Sequence, residues 1–134
     1  GVNVIAVVRL CRLVLPKMIN NGWGRIINFA GMNVIHGYNG RVHVSATKHG
    51  AWGLTKALAF EFGRKGVSSN IISPSPIEGV RNKPGEVAHI QHTARRLCRL
   101  GSPEEIAAVI SMLTGDNGAY VNGQIIQVNG GTQT

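Results

Sequence analysis

Lys48 stands near the start of a long amphipathic segment, in the run Gly40-Arg-Val-His-Val-Ser-Ala-Thr-Lys-His-Gly50. A lysine ammonium assists proton transfer when an acidic hydrogen lies beside it. On a helix, residues four apart share one face, and the residue four before Lys48 is Val44. A tyrosine there would set a phenol next to the amine. A nearby cation favours the phenolate and lowers its pKa from about 10, which makes a working proton donor. Valine has no such proton. Two neighbours in sequence, His43 and Tyr38, could stand in, and His36 also lies nearby. Ser45 points about 100° around the helix from position 44, and its hydroxyl is a poor acid without a base.

The elements that would hold these groups follow from periodicity. Residues Val2–Asn20 carry apolar positions at Val4, Val7, Val8, Cys11, Val14, Leu15 and Met18, which is helical spacing. Pro16 predicts a kink, and Asn20-Asn21-Gly22 a stop. Arg25–Ala30 reads as a buried strand, and Gly31–Arg41 as a loop. A helix is predicted over Val42–Arg64, with Gly50, Leu54, Leu58 and Phe62 in one stripe and Gly53, Ala57 and Phe60 widening it. Glycines inside a helix cost about 1 kcal/mol each against alanine, so another backbone is expected close by. Val67–Ser73 is a second strand, ended by Pro74-Ser75-Pro76. A basic helix is expected over Glu86–Arg99. Ser102-Pro103-Glu104-Glu105 is a helix start, with a hydroxyl cap, proline first and glutamate third. That helix is expected to reach about Leu113, and Gln124–Val128 is a third strand. Strands joined by long helices pair in parallel.

These blocks resemble the C-terminal half of a short-chain dehydrogenase/reductase, whose signature is Tyr-x-x-x-Lys. Gly24-Arg-Ile-Ile-Asn-Phe looks like the strand before the catalytic serine, and Ser45-Ala-Thr-Lys-His-Gly like the active-site helix. Asn70-Ile-Ile-Ser-Pro-Ser-Pro-Ile resembles the strand and loop that touch nicotinamide. Gly101-Ser-Pro-Glu-Glu-Ile-Ala and Gly123-Gln-Ile-Ile-Gln-Val-Asn-Gly-Gly resemble the closing blocks. The fold expected is α/β, the C-terminal half of a doubly wound, Rossmann-like parallel sheet: three parallel strands with flanking helices. Residues 1–134 would form a single partial domain lacking the N-terminal cofactor-binding half. A chain that opens inside a helix, with no leading strand, is expected to be truncated from a longer protein.

The resemblance implies a carbonyl reductase or alcohol dehydrogenase working with NAD or NADP. Carried over position by position, the water-positioning asparagine is Asn3 and the lysine that holds the ribose is Lys48. The catalytic serine position is Gly31, and the tyrosine position is Val44. Losing a general acid typically costs about 10²–10⁴ in rate, and losing a donor to the substrate oxygen about 10²–10³. An impaired oxidoreductase, a pseudoenzyme, is therefore expected. On the nicotinamide side, Pro74 to Gly79 matches the family's Pro-Gly-x-x-x-Thr, with Ser75 replacing the glycine and Gly79 the threonine. Pro74, Ser75, Ile77 and Gly79, together with Lys48, are the expected cofactor-binding positions, Ile77 through its backbone. The glycine-rich phosphate turn of a dinucleotide fold is absent from these residues.

The 134 residues carry 43% hydrophobic residues and 18 glycines, ordinary for one globular domain. No apolar run is long enough to span a bilayer, so no membrane association is expected, and a cytoplasmic location is. Cys11 and Cys98 follow no metal spacing and are read as reduced packing residues. No metal site is expected. The net charge of +8 leaves a second class of function open, a basic module for an anionic partner such as an acyl-carrier protein. Arg81, Lys83, Arg95, Arg96 and Arg99 would carry it. No nucleic-acid-binding motif is present. A third class is a non-enzymatic subunit or scaffold. The first strand would have an unpaired edge, to be covered by a companion chain supplying the missing half or by self-association. Homo-oligomerisation through the helices at 2–20 and 42–64 is a further expectation.

Overall fold

The computed structural model describes residues 2–31, 34–35, 37, 39–79 and 99–132, with residues 2 and 3 described by their backbone alone. The chain begins with a π-helical turn, Val2–Ala6, which runs directly into α1, Val7–Asn20. Helix α1 continues through Pro16. It ends where Asn21 and Gly22 donate their N–H groups back to Lys17 and Ile19, with Gly22 at φ 63°. Strand β1 is Gly24–Phe29, α2 is Val42–Phe62, and a 3-10 turn, Gly63–Lys65, extends α2. Strand β2 is Val67–Pro74, α3 is Pro103–Thr114 and β3 is Ile125–Val128.

The three strands form one parallel sheet in the order β1-β2-β3. Gly24 pairs with Val67 and Phe29 with Ile72, while Ile71 pairs with Ile125. Every residue from Val67 to Ser73 is buried, so the central strand is covered on both faces, as parallel sheets require. Between α1, α2 and the sheet lies a core of Cys11, Leu15, Ile26, Leu58 and Val67. Gly66 makes the tight entry to β2: its φ is 80°, and a Cβ there would overlap the carbonyl of Gly22. Polar residues in the core are tied down. Asn28 Nδ2 donates to Thr55 Oγ1 at 2.9 Å, and Asn70 holds the connection to β3 through the Val121 carbonyl and the Gln124 N–H.

The start of α3 is the capping box that the sequence implies. Ser102 Oγ accepts from the Glu105 N–H, Glu105 accepts from the Ser102 N–H, and Pro103 takes the first turn. Helix α2 departs from expectation on one side. Its buried residues are Ala51, Thr55, Leu58 and Ala59, whereas Gly53, Ala57 and Phe60 face outward, Phe60 with 94% of its surface exposed. The 42–64 pattern carries two apolar sides, and only one of them meets the sheet. The expected close backbone approach is likewise absent at Gly53, where a Cβ would meet nothing within 4 Å; at Gly50 the neighbour is a side chain, Val4 Cγ2 at 3.3 Å. The basic helix expected at Glu86–Arg99 lies outside the described residues except for Arg99.

Candidate active site

Because β1 and β2 are parallel, both deliver their C-terminal ends to one side of the sheet. Ligands in open α/β sheets bind beyond those ends. Gly31 follows β1 there, and the segment 75–79 follows β2. Helix α2 brings Lys48 to the same side, where its Nζ donates to the Phe29 carbonyl at 3.5 Å. Val44 precedes Lys48 by one helical turn and shares its face. Its carbonyl accepts from Thr47 Oγ1 at 2.9 Å, and its side chain offers no hydrogen. Gly31 has open space where a side chain would stand, with nothing within 4 Å of a Cβ. Lys48, Val44 and Gly31 thus lie on the same side of the sheet.

Asn3 belongs to the π-helical turn, and π-turns recur at functional sites. That turn packs on α2 at Gly50, two residues beyond Lys48, through Val4. Neither Tyr38 nor His36 lies among the described residues. Ser45 Oγ is buried with no hydrogen-bond partner among them, and His43 is exposed. His49, which periodicity gave no reason to single out, is held through Nδ1 by the Ser45 carbonyl at 2.9 Å. Since a carbonyl only accepts, Nδ1 is the donor in that contact.

The segment after β2 is pinned in an extended form. Gly101 donates to the Pro76 carbonyl at 3.2 Å and accepts from the Glu78 N–H at 2.9 Å, a parallel bridge opposite Ile77. In a parallel bridge the central residue's own N–H and C=O point away, so neither group of Ile77 is used by Gly101. Ser75 donates its N–H to the Val128 carbonyl at 3.2 Å. Gly79 is exposed, and a Cβ there would meet nothing within 4 Å. Beside this segment a cavity of about 310 Å³ is lined by Ser75, Ile77, Arg99 and Glu105 among others. Arg99 forms a two-pronged ion pair with Glu105, at 2.6 and 2.8 Å. The guanidinium and the Ser102 N–H hold the Glu105 carboxyl down at about 2. Arg99 is therefore already neutralised, while Arg81, Lys83, Arg95 and Arg96 lie outside the described residues.

The residues present fit the nicotinamide end of a cofactor: an amine for hydroxyls, backbone groups at Ile77 that Gly101 does not use and unfilled space at Gly31 and Gly79. No glycine-rich strand-turn-helix for a pyrophosphate exists among the described residues, nor does a group of three or more metal-ligating side chains. No helix there is long and apolar enough to cross a membrane. Cys11 is buried as a free thiol, and burial pushes its pKa up.

A family model described as enoyl-(acyl-carrier-protein) reductase matches residues 1–133. Over 133 residues the chain is 38% identical to the acetoacetyl-CoA reductase of Allochromatium vinosum, covering 98% of this chain and 54% of that one. It is 37% identical to the 3-oxoacyl-[acyl-carrier-protein] reductase of Pseudomonas aeruginosa, covering 96% and 53%. Among solved structures, a putative NAD(P)-dependent gluconate 5-dehydrogenase from Beutenbergia cavernae with bound NADP superposes with a TM-score of 0.87 at 31% identity, covering 98% and 54%. A 4-hydroxyisoleucine dehydrogenase mutant complexed with NADH and succinate gives 0.86 at 28%, covering 98% and 56%. The chain spans about half the length of the relatives it matches. With a family model matched over residues 1–133 and relatives at 37–38% identity along nearly its whole length, the chain belongs to the short-chain dehydrogenase/reductase family.

Proposed function

We propose that this chain is an oxidoreductase-family module whose own catalytic centre is silent, and which keeps the nicotinamide side of the site. One observation carries the reading. The hydrogen-bond partner of Lys48 Nζ is a backbone carbonyl, an acceptor, and the residue one turn before it is Val44. An amine facing an acceptor has no phenol to activate. Gly31 supports the same reading, since it brings no hydroxyl to a substrate oxygen. A nicotinamide cofactor, NAD or NADP, would supply hydride chemistry if held here. Lys48 would bind its ribose hydroxyls and the Ile77 backbone its carboxamide. The whole protein's substrates are sought first among the 3-oxoacyl thioesters that its relatives' names indicate.

The test is reduced-nicotinamide consumption by purified chain with acetoacetyl-CoA, followed at 340 nm. No turnover above the blank is expected. Turnover that Lys48→Ala abolishes would overturn the reading.

A second reading, a scaffold or subunit, is favoured by the outward apolar side of α2 and by Leu10 and Leu13 of α1, 62% and 76% exposed. Homo-oligomerisation through these helices is part of that proposal. A defined complex in light scattering, formed without cofactor, supports it; a monomer at all concentrations counts against it. The ion pair that occupies Arg99 argues against the basic module.

A further inference from the structure

We propose that Asn39 is a site of spontaneous modification, deamidation to aspartate and isoaspartate, and that the fold selects it from the chain's five Asn-Gly pairs. The proposal does not depend on whether the catalytic centre is silent.

The chemistry is local. In an Asn-Gly pair the glycine nitrogen attacks the asparagine side-chain carbon, Cγ. A new N–C bond forms, the bond from Cγ to the side-chain nitrogen breaks, and ammonia leaves. The attacking nitrogen gives its proton to a solvent base, and the departing one takes a proton from solvent. Water then opens the five-membered imide at either carbonyl, giving aspartate or isoaspartate. Nothing is oxidised or reduced, and water is the only co-reactant. Glycine favours the step because it has no Cβ to crowd the nitrogen. Two things oppose it. One is a glycine N–H tied into a hydrogen bond, which must open first. The other is an asparagine amide held away from that nitrogen.

The pairs stand at 21–22, 39–40, 117–118, 122–123 and 129–130. Four of them are blocked. Gly22 donates its N–H to the Ile19 carbonyl at 3.0 Å, in the turn that ends α1. Gly118 donates to the Gly115 carbonyl at 3.2 Å and is buried against the backbone of Met112 and Leu113. Gly123 donates to the Ser69 carbonyl at 2.9 Å. The amide of Asn122 is held at both ends, Oδ1 by the Ser69 N–H and Nδ2 by the Ala59 carbonyl. Asn129 is buried, with Oδ1 accepting from the Gly131 N–H and Nδ2 donating to Gln127 Oε1.

The pair at 39–40 has none of these restraints. Both residues are exposed, in the turn that leads into α2. Among the described residues, neither the Gly40 N–H nor the Asn39 side chain has a hydrogen-bond partner. Gly40 stands at φ 73°, and a Cβ there would meet nothing within 4 Å, so nothing crowds the attacking nitrogen. Reaction there removes one unit from the net charge of +8. It also sets a carboxylate just ahead of α2, whose first turn holds no acidic residue.

The test is peptide mapping by mass spectrometry after the full 134-residue chain has stood for days at pH 8 and 37 °C. Digestion with an acid protease adds no conversion during handling. Asn39 is expected to convert at least about tenfold faster than any other Asn-Gly pair, since a held amide must first break its bond. In concentrated urea the five rates should converge, because the unfolded chain holds no amide in place. Asn39→Gln closes a six-membered ring, a much slower reaction, and sits at an exposed position where circular dichroism should match the parent. It should remove the first acidic species that native cation-exchange chromatography resolves in the parent. Three results would overturn the proposal: Asn39 converting no faster than the other pairs in folded chain, the same ranking kept in urea, or an acidic species that forms at the parental rate in Asn39→Gln.

Discussion

Lys48 Nζ and the Phe29 carbonyl meet at 3.5 Å, where α2 passes the last residue of β1. That contact ties the start of α2 to the end of β1. Lys48 donates to the Phe29 carbonyl, and the residue one turn before it, Val44, offers the amine no phenol. The same amine would serve as ribose ligand in a reductase.

Restoring the phenol should restore the coupling. In Val44→Tyr the new hydroxyl lies one turn from Lys48, on its face of α2. A cation at that range lowers an acid's pKa, so the added tyrosine is expected to titrate about one unit below the ordinary 10. Difference absorbance at 295 nm against the parent, which carries Tyr38 and Tyr120 as background, isolates it. Adding Lys48→Ala should return the value to about 10. A titration unmoved by that second change would mean that the two groups do not meet. Gly31→Ser should fold like the parent, since a Cβ there meets nothing within 4 Å.

Much of this arrangement was legible in the residues. Among the described residues, strands and helices fell within one or two positions of their pattern, because apolar periodicity and the Ser102 cap are local signals. Val44 and Gly31 could be located because they stand at fixed distances from Lys48 and Phe29 along the chain. What periodicity could not give were relations between distant backbones. The Phe29 carbonyl is invisible to a side-chain reading, and so is the bridge of Gly101 to the segment around Ile77. Phe60 was misplaced for a different reason. An apolar residue on a helix flank reads the same whether it enters the core or faces outward, and only the sheet's position decides.

The pair Asn28–Thr55 should behave as a unit. Thr55 is fully buried and Asn28 nearly so, and their bond at 2.9 Å crosses from β1 to α2. Thr55→Val leaves a buried amide without its partner, which costs about 1–3 kcal/mol. Asn28→Leu combined with Thr55→Val removes both polar groups and is expected to lose less than the single change. Urea melts of the two variants and the parent measure the difference. A double variant less stable than Thr55→Val would show that shape, not hydrogen bonding, governs the site.

Gly66 is expected to be intolerant. At φ 80° a side chain is strained, and a Cβ would run into the Gly22 carbonyl. Gly66→Ala should cost at least about 2 kcal/mol, read from the midpoint of urea unfolding. Gly53→Ala is the control. It sits on the outward side of α2 with open space around it and should stabilise by up to about 1 kcal/mol.

Acid should release the start of α3 in a defined window. Glu105 is held at about 2 in the folded chain, first by the Arg99 guanidinium and then by the Ser102 N–H, against an ordinary value of 4.5. A carboxyl depressed by folding contributes stability that is complete above its unfolded value and is lost as pH falls through its folded one. The contribution is therefore whole at pH 6, declines from about 4.5 and is gone near 2. Both partners are exposed, so salt screens it and the effect is small. Thermal melts of parent and Glu105→Gln should differ at pH 6 and converge as pH approaches 2, with the gap at pH 6 narrowing in high salt. Ser102→Ala, which removes the cap oxygen, should cost about 1 kcal/mol across the whole range. A gap between parent and Glu105→Gln that persists at low pH would assign the role of Glu105 to packing instead of charge.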